Sequence, residues 1–254
     1  MGRQNEKVVK IRLEETMSTN TYLRLLAERR ALADGSLVVA EYQTKGRGQI
    51  GNSWFSSKGK NLLFSVFVRP KGIPANEQFL LSRIVSLALK ETLDKFAAPI
   101  RIKWPNDIYW EEKKIAGILI ENDLQGNEIE SSIIGIGLNV NEPAFPQGLP
   151  NPISLKQITG MEYDRDFILD TFMNHFFAYY HPLDETEISL IEQDYLQSLY
   201  HLGEFHRFED AGGRFMGKIK NVLPSGHLVV ETYTREERIY AFKEIAFIEN
   251  SMIQ

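Results

Sequence analysis

The residues best suited to chemistry lie in three stretches, each carrying a cation and two of them glycine as well. In GRGQIGNSW, 46–54, Gly46, Gly48 and Gly51 make a loop whose bare backbone can wrap an anion, and Arg47 projects from it. The stretch from Thr44 to Lys60 contains Lys45, Arg47, Lys58 and Lys60 and no acid, although the whole chain carries a formal net charge of -5. That local reversal of sign points to a phosphate or carboxylate partner. KWPNDIYW, 103–110, places Lys103 before an aromatic-proline pair and follows it with Asn106 and Asp107. Pro-Asn-Asp favours a turn for local reasons too, so this segment alone does not separate a site from a loop. Lys114 enters the apolar run IAGILI, where a lysine is ordinarily a solvated edge residue. Gly117 inside that run marks a place where a ligand or another backbone comes close, and Gly135 and Gly137 in IIGIGLNVN raise the same choice between packing and pocket. Arg47, Lys103 and Lys114 along one sheet face would suit a polyphosphate.

Other chemistries are poorly represented. The loop satisfies G-x-G-x-x-G, but NSWFSSKGKN follows it without apolar residues at helical spacing, so no helix N-terminus is available for a dinucleotide pyrophosphate. No G-x-S-x-G elbow and no G-x-x-x-x-G-K-[ST] loop is present. His175, His181, His201, His206 and His227 show no H-E-x-x-H arrangement and predict no histidine metal site. The absence of cysteine removes disulfides, thiolate chemistry and zinc-thiolate sites.

The elements that must position these residues read as follows. A strand is expected at Val8–Leu13. A helix capped within Ser18–Asn20 should carry Leu23, Leu26 and Ala27 on one face and end at Asp34-Gly35. Strands at 36–42 and 61–68 flank the glycine loop, and a helix spans Glu77–Phe96. Strands at 100–104, 108–110, 114–121 and 129–140, joined by short turns, predict a mixed or antiparallel sheet. Helices near Asp166–Tyr180 and Glu185–Tyr200 follow a proline-rich connection. From about Gly203 the pattern turns to short strands with Gly212-Gly213, Ser225-Gly226 and Thr234-Arg235 at the turns. This organisation predicts an α+β protein with a larger unit, 1–202, and a small β-barrel, 203–254. With 254 residues and 43% apolar composition the chain can bury a full core. Its apolar runs are too short for a membrane span and its polar opening does not resemble a secretory signal, so a cytoplasmic location is expected. The acidic balance predicts no nucleic-acid partner.

STNTYL from Ser18, EYQTKGRGQIGNSW from Glu41, KWPNDIYWEEKKIAGILIE from Lys103 and IIGIGLNVN from Ile133, in that order, together resemble the biotin protein ligases. The tail GKIKNVLPSGHLVVET is similar to that family's C-terminal SH3-like barrel, and the rest to its catalytic domain, which is related to class II aminoacyl-tRNA synthetases. The resemblance implies an enzyme that joins biotin to ATP, with Mg²⁺, to give biotinyl-adenylate. It then passes the biotinyl group to one lysine of a carboxylase carrier domain, as in acetyl-CoA carboxylase. Carried over residue by residue, it implies that Arg47 and Lys114 meet the biotin carboxylate and the α-phosphate. Ser18, Thr19, Asn20, Gln43 and Gly46 would hold biotin, and Gly117 would leave room for it. Gln49, Trp54, Asn106 and Asn139 would face the nucleotide, with Trp54 also anchoring the loop. Lys103 would stand near the phosphates, and Asp107 would orient or deprotonate the acceptor lysine, with the metal close by.

Two departures from the family pattern carry consequences. Many relatives have further basic residues after GRG, where this chain has Gln49, Ile50, Asn52 and Ser53, and loss of charge there predicts a looser hold on the adenylate. Only about a dozen residues precede the first helix, too few for the helix-turn-helix domain of repressor-type relatives, so no operator binding is expected. A lipoate ligase shares the fold and adenylation chemistry but typically carries arginines and glycines followed by a histidine at the loop. A non-catalytic biotin or nucleotide sensor could dispense with Arg47, Lys103, Asp107 and Lys114. Monomer and homodimer are both compatible with the sequence.

Overall fold

The computed structural model describes residues 7–49 and 51–248. Ile50 and the stretch from 249 onward, to which expectations above also applied, lie outside the described residues. Strand β1 (Lys10–Leu13) leads into helix α1 (Thr19–Arg29), then β2 (Ser36–Ala40), β3 (Leu62–Val68) and the long helix α2 (Phe79–Ala97). Strands β4 (Ile100–Lys103), β5 (Asp107–Trp110), β6 (Lys113–Gln125) and β7 (Glu128–Leu138) follow. Together they form a seven-stranded sheet in the order β1-β2-β3-β7-β6-β5-β4. The β1–β2 pair is parallel and the remaining neighbours are antiparallel, so the sheet is mixed, as the short turns implied. Helices α3 (Leu155–Thr159), α4 (Arg165–Tyr179) and α5 (Glu185–Gln197) complete this part. Strands β8 (His206–Asp210), β9 (Gly213–Val222), β10 (Leu228–Thr232), β11 (Glu237–Tyr240) and β12 (Ala246–Ile248) form a second, antiparallel sheet in the order β11-β10-β9-β8-β12.

The period of two along a strand divides the central residues between two cores. Leu37 and Val39 of β2 and Leu62, Phe64, Val66 and Val68 of β3 join the large core that also contains apolar residues of α2, α4 and α5. Val38, Phe67 and Ile133 instead pack with Leu23 of α1 and Leu32. Covering both faces explains why SLVVA and LLFSVFV are buried throughout rather than alternating with polar residues. Ser65 is the polar interruption of β3, and it shares the α1 face with Phe67 by parity.

Several boundaries differ from expectation. Helix α1 stops at Arg29, well before Asp34-Gly35, because Arg30 is already extended at φ -157°. Ser18 is the N-cap residue but makes no side-chain cap bond, while Thr19 and Asn20 lie inside the helix. Helix α3, absent from the sequence reading, is a short turn closed by a capping box between Ser154 and Gln157 and by Gly160 at φ 78°.

Arg83 of α2 fastens the two sheets together. It is 2% exposed, pairs with Glu192 of α5 and donates to Val222 O (2.7 Å) and Leu223 O (3.1 Å) at the end of β9. Its guanidinium also lies over the rings of Phe79 and Tyr195. Trp104 adds a second tie, donating through Nε1 to Gly226 O at 2.8 Å and packing edge-on against Phe242.

Candidate active site

A cavity of about 450 Å³ opens on the α1 face of the large sheet. Its floor follows from register. Gly117 of β6 pairs with Gly137 of β7, and Leu119 pairs with Gly135, so the three glycines cluster on adjacent strands. A Cβ at Gly135 would overlap Asn20 Oδ1, and one at Gly137 would overlap the Trp54 indole. At Gly117 it would come within 3.0 Å of Trp54 and 3.2 Å of the Lys114 side chain. The glycines therefore make a trough that seats Trp54 and Asn20. Gly117 itself lines the cavity beside them. Trp54 lies on the trough and lines the cavity.

At one part of this trough the polar groups are held by one another. Thr19 donates from its backbone N–H to Gln43 Oε1 at 2.7 Å, which leaves the opposite end of that amide, Nε2, as a donor beside Gly46. Ser65 Oγ lies 2.7 Å from Thr19 Oγ1 and 2.6 Å from Asn20 Oδ1. Asn20 Nδ2 donates to Glu121 Oε2 at 2.7 Å. Ser18, Thr19 and Asn20 are all almost fully buried and line the cavity with Gln43. The result is a small, fixed array of donors and acceptors of the kind that recognises a neutral polar ligand.

The cations stand nearby, each engaged with the protein itself. Arg47 makes a two-pronged pair with Glu121, at 3.1 and 2.8 Å. Lys114 Nζ is 2.7 Å from Asp107 Oδ1 and 5.6 Å from the centre of the Trp54 ring. Lys103 Nζ donates to Tyr109 OH at 3.1 Å and lies 5.3 Å from the Phe247 ring. Its charge reaches His201, whose pKa is pushed down to about 4, chiefly by burial and then by His206 and Lys103. Asn106 is tied to β6, donating to Ile118 O at 2.7 Å while its own carbonyl accepts from Ile118 N at 3.0 Å.

The glycine loop folds back as a narrow hairpin. Gly48 N donates to Asn52 O at 2.8 Å, and Trp54 N donates to Gly46 O at 3.0 Å. No helix follows it, in line with the rejection of a dinucleotide fingerprint. Gly46 is set back from the cavity wall, because its missing Cβ makes room for the Trp54 carbonyl, 2.6 Å from where that atom would be. Asn139 also lies off the main cavity. It lines an adjoining hollow with Trp54 and Lys114, and its buried Oδ1 has no hydrogen-bond partner. Arg47, Gln49, Trp54, Lys103, Asn106, Asp107, Lys114 and Gly117 all reach the main cavity wall.

Three contributors were missed in the sequence. Ser65 had a signal, being the single hydroxyl in an apolar strand. Glu121 had none, since its pairing with Arg47 spans 74 positions. Phe242, Lys243 and Ile245 of the β11–β12 connection and Ala246 and Phe247 of β12 close the cavity, a wall visible only once the second sheet is placed.

A family model described as the biotin/lipoate A/B protein ligase family matches residues 13–139. The chain is 33% identical over 216 residues to the bifunctional ligase/repressor BirA of Bacillus subtilis, covering 82% of this chain and 65% of that protein. It is 32% identical over 199 residues to the biotin–[acetyl-CoA-carboxylase] ligase of Paracoccus denitrificans, covering 76% and 81%. The chain thus spans slightly less than two thirds of the Bacillus relative. Among solved structures, the biotin protein ligase of Aquifex aeolicus in complex with biotin and ATP superposes with a TM-score of 0.76 at 28% identity, over 94% of this chain and 97% of that one.

Proposed function

Because the chain belongs to the biotin/lipoate A/B protein ligase family, we propose that it is an ATP-dependent biotin protein ligase acting on the lysine of a carboxylase's biotin carboxyl carrier domain. The observation that carries this reading is the joint placement, on one glycine trough, of the Thr19–Gln43–Asn20 array and the side chains of Arg47 and Lys114. A ureido ring offers two N–H donors and one carbonyl. Burying it is favourable only where each group finds a partner, and Ser18, Thr19, Asn20 and the Nε2 of Gln43 supply them.

In the first step a carboxylate oxygen of biotin attacks the α-phosphorus of ATP, and the bond to the β-phosphate oxygen breaks to release pyrophosphate. Two anions must meet, so cations at the meeting point supply most of the catalysis. Arg47 leaves Glu121 for the incoming carboxylate and phosphate, exchanging one anion for another. Lys114 turns from Asp107 to the phosphate whose charge is growing. Lys103 supports the remaining phosphates, and Asn139 Oδ1 and Asn106 flank the nucleotide. Mg²⁺ suits this site as an ion carried by the phosphates, since it retains waters and needs few protein oxygens, and Asp107 is the carboxylate among the cavity-lining residues. In the second step the carrier amine attacks the biotinyl carbonyl carbon and AMP departs. Asp107, released by Lys114, takes the amine's proton. On this reading residues 1–202 form the ligase unit, and the small β unit from 203 onward closes its cavity.

The test is pyrophosphate release from ATP and Mg²⁺ with biotin or lipoate added separately, followed by labelling of a carrier domain with its target lysine intact or replaced. Biotin-dependent release and labelling of the intact carrier alone are expected. Release with lipoate alone would move the chain to the sister activity, and tight biotin binding without pyrophosphate would make it a sensor.

A further inference from the structure

Outside the cavity, the described residues contain a cluster of metal-ligating side chains that no role above uses: His201, Glu204 and His206, on the connection from α5 into β8. Their nearest donor atoms all lie within 4.8 Å of one another. The absence of an H-E-x-x-H arrangement predicts no histidine metal site, but here a fold-back brings two histidines together instead. His201 and Gly203 both take left-handed backbone, at φ 63° and 73°, and so reverse the chain within a few residues. The His201 ring then stacks on His206 with centroids 3.4 Å apart and planes inclined by 23°. His206 Nε2 is shielded from solvent, has no hydrogen-bond partner and lies 3.4 Å from Glu204 Oε2.

We propose that His201, Glu204 and His206 bind a divalent transition metal of the Zn²⁺ class, with a fourth position left to water. Two imidazoles and one carboxylate are the donor set that such borderline ions favour, whereas Mg²⁺ prefers oxygen ligands alone. Tetrahedral donors around Zn²⁺ sit about 3.3 Å apart, so the cluster must contract. Glu204, whose side chain is 77% exposed, already reaches within 3.4 Å of His206 Nε2, and the His201 ring must turn out of the stack before both imidazole lone pairs point at one ion. The Lys103 ammonium, near the adjoining Tyr200 ring, opposes a dication, and the Glu204 charge offsets it. A bound ion would tie the exit of α5 to β8, the strand that pairs with cavity-wall strand β12.

Calorimetric titration of the full chain with ZnCl₂, in buffer holding excess Mg²⁺, tests this. One equivalent should bind, Zn²⁺ should raise the melting temperature, and His201→Gln or His206→Gln should weaken binding by more than about tenfold. His175→Gln, at a histidine beside Glu91 rather than in this cluster, should leave binding unchanged. Should a histidine variant melt abnormally without metal, exposed Glu204→Gln decides, with weakened binding expected. Absence of stoichiometric binding up to about 100 µM, or affinity indifferent to His201, His206 and Glu204, overturns the proposal.

Discussion

Lys114 and Gln49 are the side chains whose replacement separates binding from chemistry most sharply. Lys114 meets developing charge in the proposed reaction and the ground-state ligand much less. Lys114→Ala is therefore expected to lower the rate of pyrophosphate release by about a hundredfold or more while changing biotin affinity only a few-fold, read by single-turnover kinetics beside calorimetry. An equal loss in both would assign Lys114 to simple binding. Gln49 lines the cavity but brings no charge to the glycine loop. Gln49→Arg should slow loss of preformed biotinyl-adenylate in a chase experiment, and an unchanged rate would remove the loop charge as the controlling factor. Arg47 was legible as a candidate because a cation among glycines in an acid-free stretch is physically unusual, and Lys114 because Gly117 interrupts the apolar run it opens; both line the cavity. Glu121 was not, because an acid at the end of an apolar strand looks like any solvated residue until the loop is laid across it.

Strands β3, β6 and β7 build the trough, and their contribution lies in which face each residue occupies. The apolar runs disclosed that these were buried strands, and the glycines disclosed close approach. What approached could not be read, because register rather than local sequence puts Gly137 beneath Trp54 and Gly135 beneath Asn20. Ser65 illustrates the same point: it is fully buried and holds the α1 side chains from the neighbouring strand. Ser65→Ala should leave Asn20 Oδ1 without that donor, destabilising the fold by about 1–3 kcal/mol and weakening biotin more than ATP. Thermal melting with separate titrations of the two ligands checks it, and equal weakening of both would remove Ser65 from the biotin side. The Arg47–Glu121 pair, by contrast, has side chains 42% and 24% exposed and contributes little to stability, as an anchor that a ligand must displace should.

Arg83 joins the two sheets from inside the core, and α2 is long enough to touch both. Removing a buried cation's partners or the cation itself leaves unpaired charge or carbonyls, so Arg83→Ala is expected to cost about 3 kcal/mol and lower the melting temperature by roughly 10 °C. Arg83→Met, which keeps the stem, distinguishes lost packing from lost hydrogen bonds; a melting temperature unchanged in both variants would show that the sheets are held by other contacts. The strand-rich composition after Gly203 was legible as a separate pattern, but the wall it raises over the cavity was not, since nothing local in FKEIAF names its partner. That wall also sets an order in time. A chain emerging from the ribosome exposes α1, the glycine loop and the trough long before Phe242–Phe247 appear, so on the proposed reading the nascent protein has the socket for biotin while the chamber for the nucleotide still lacks a side.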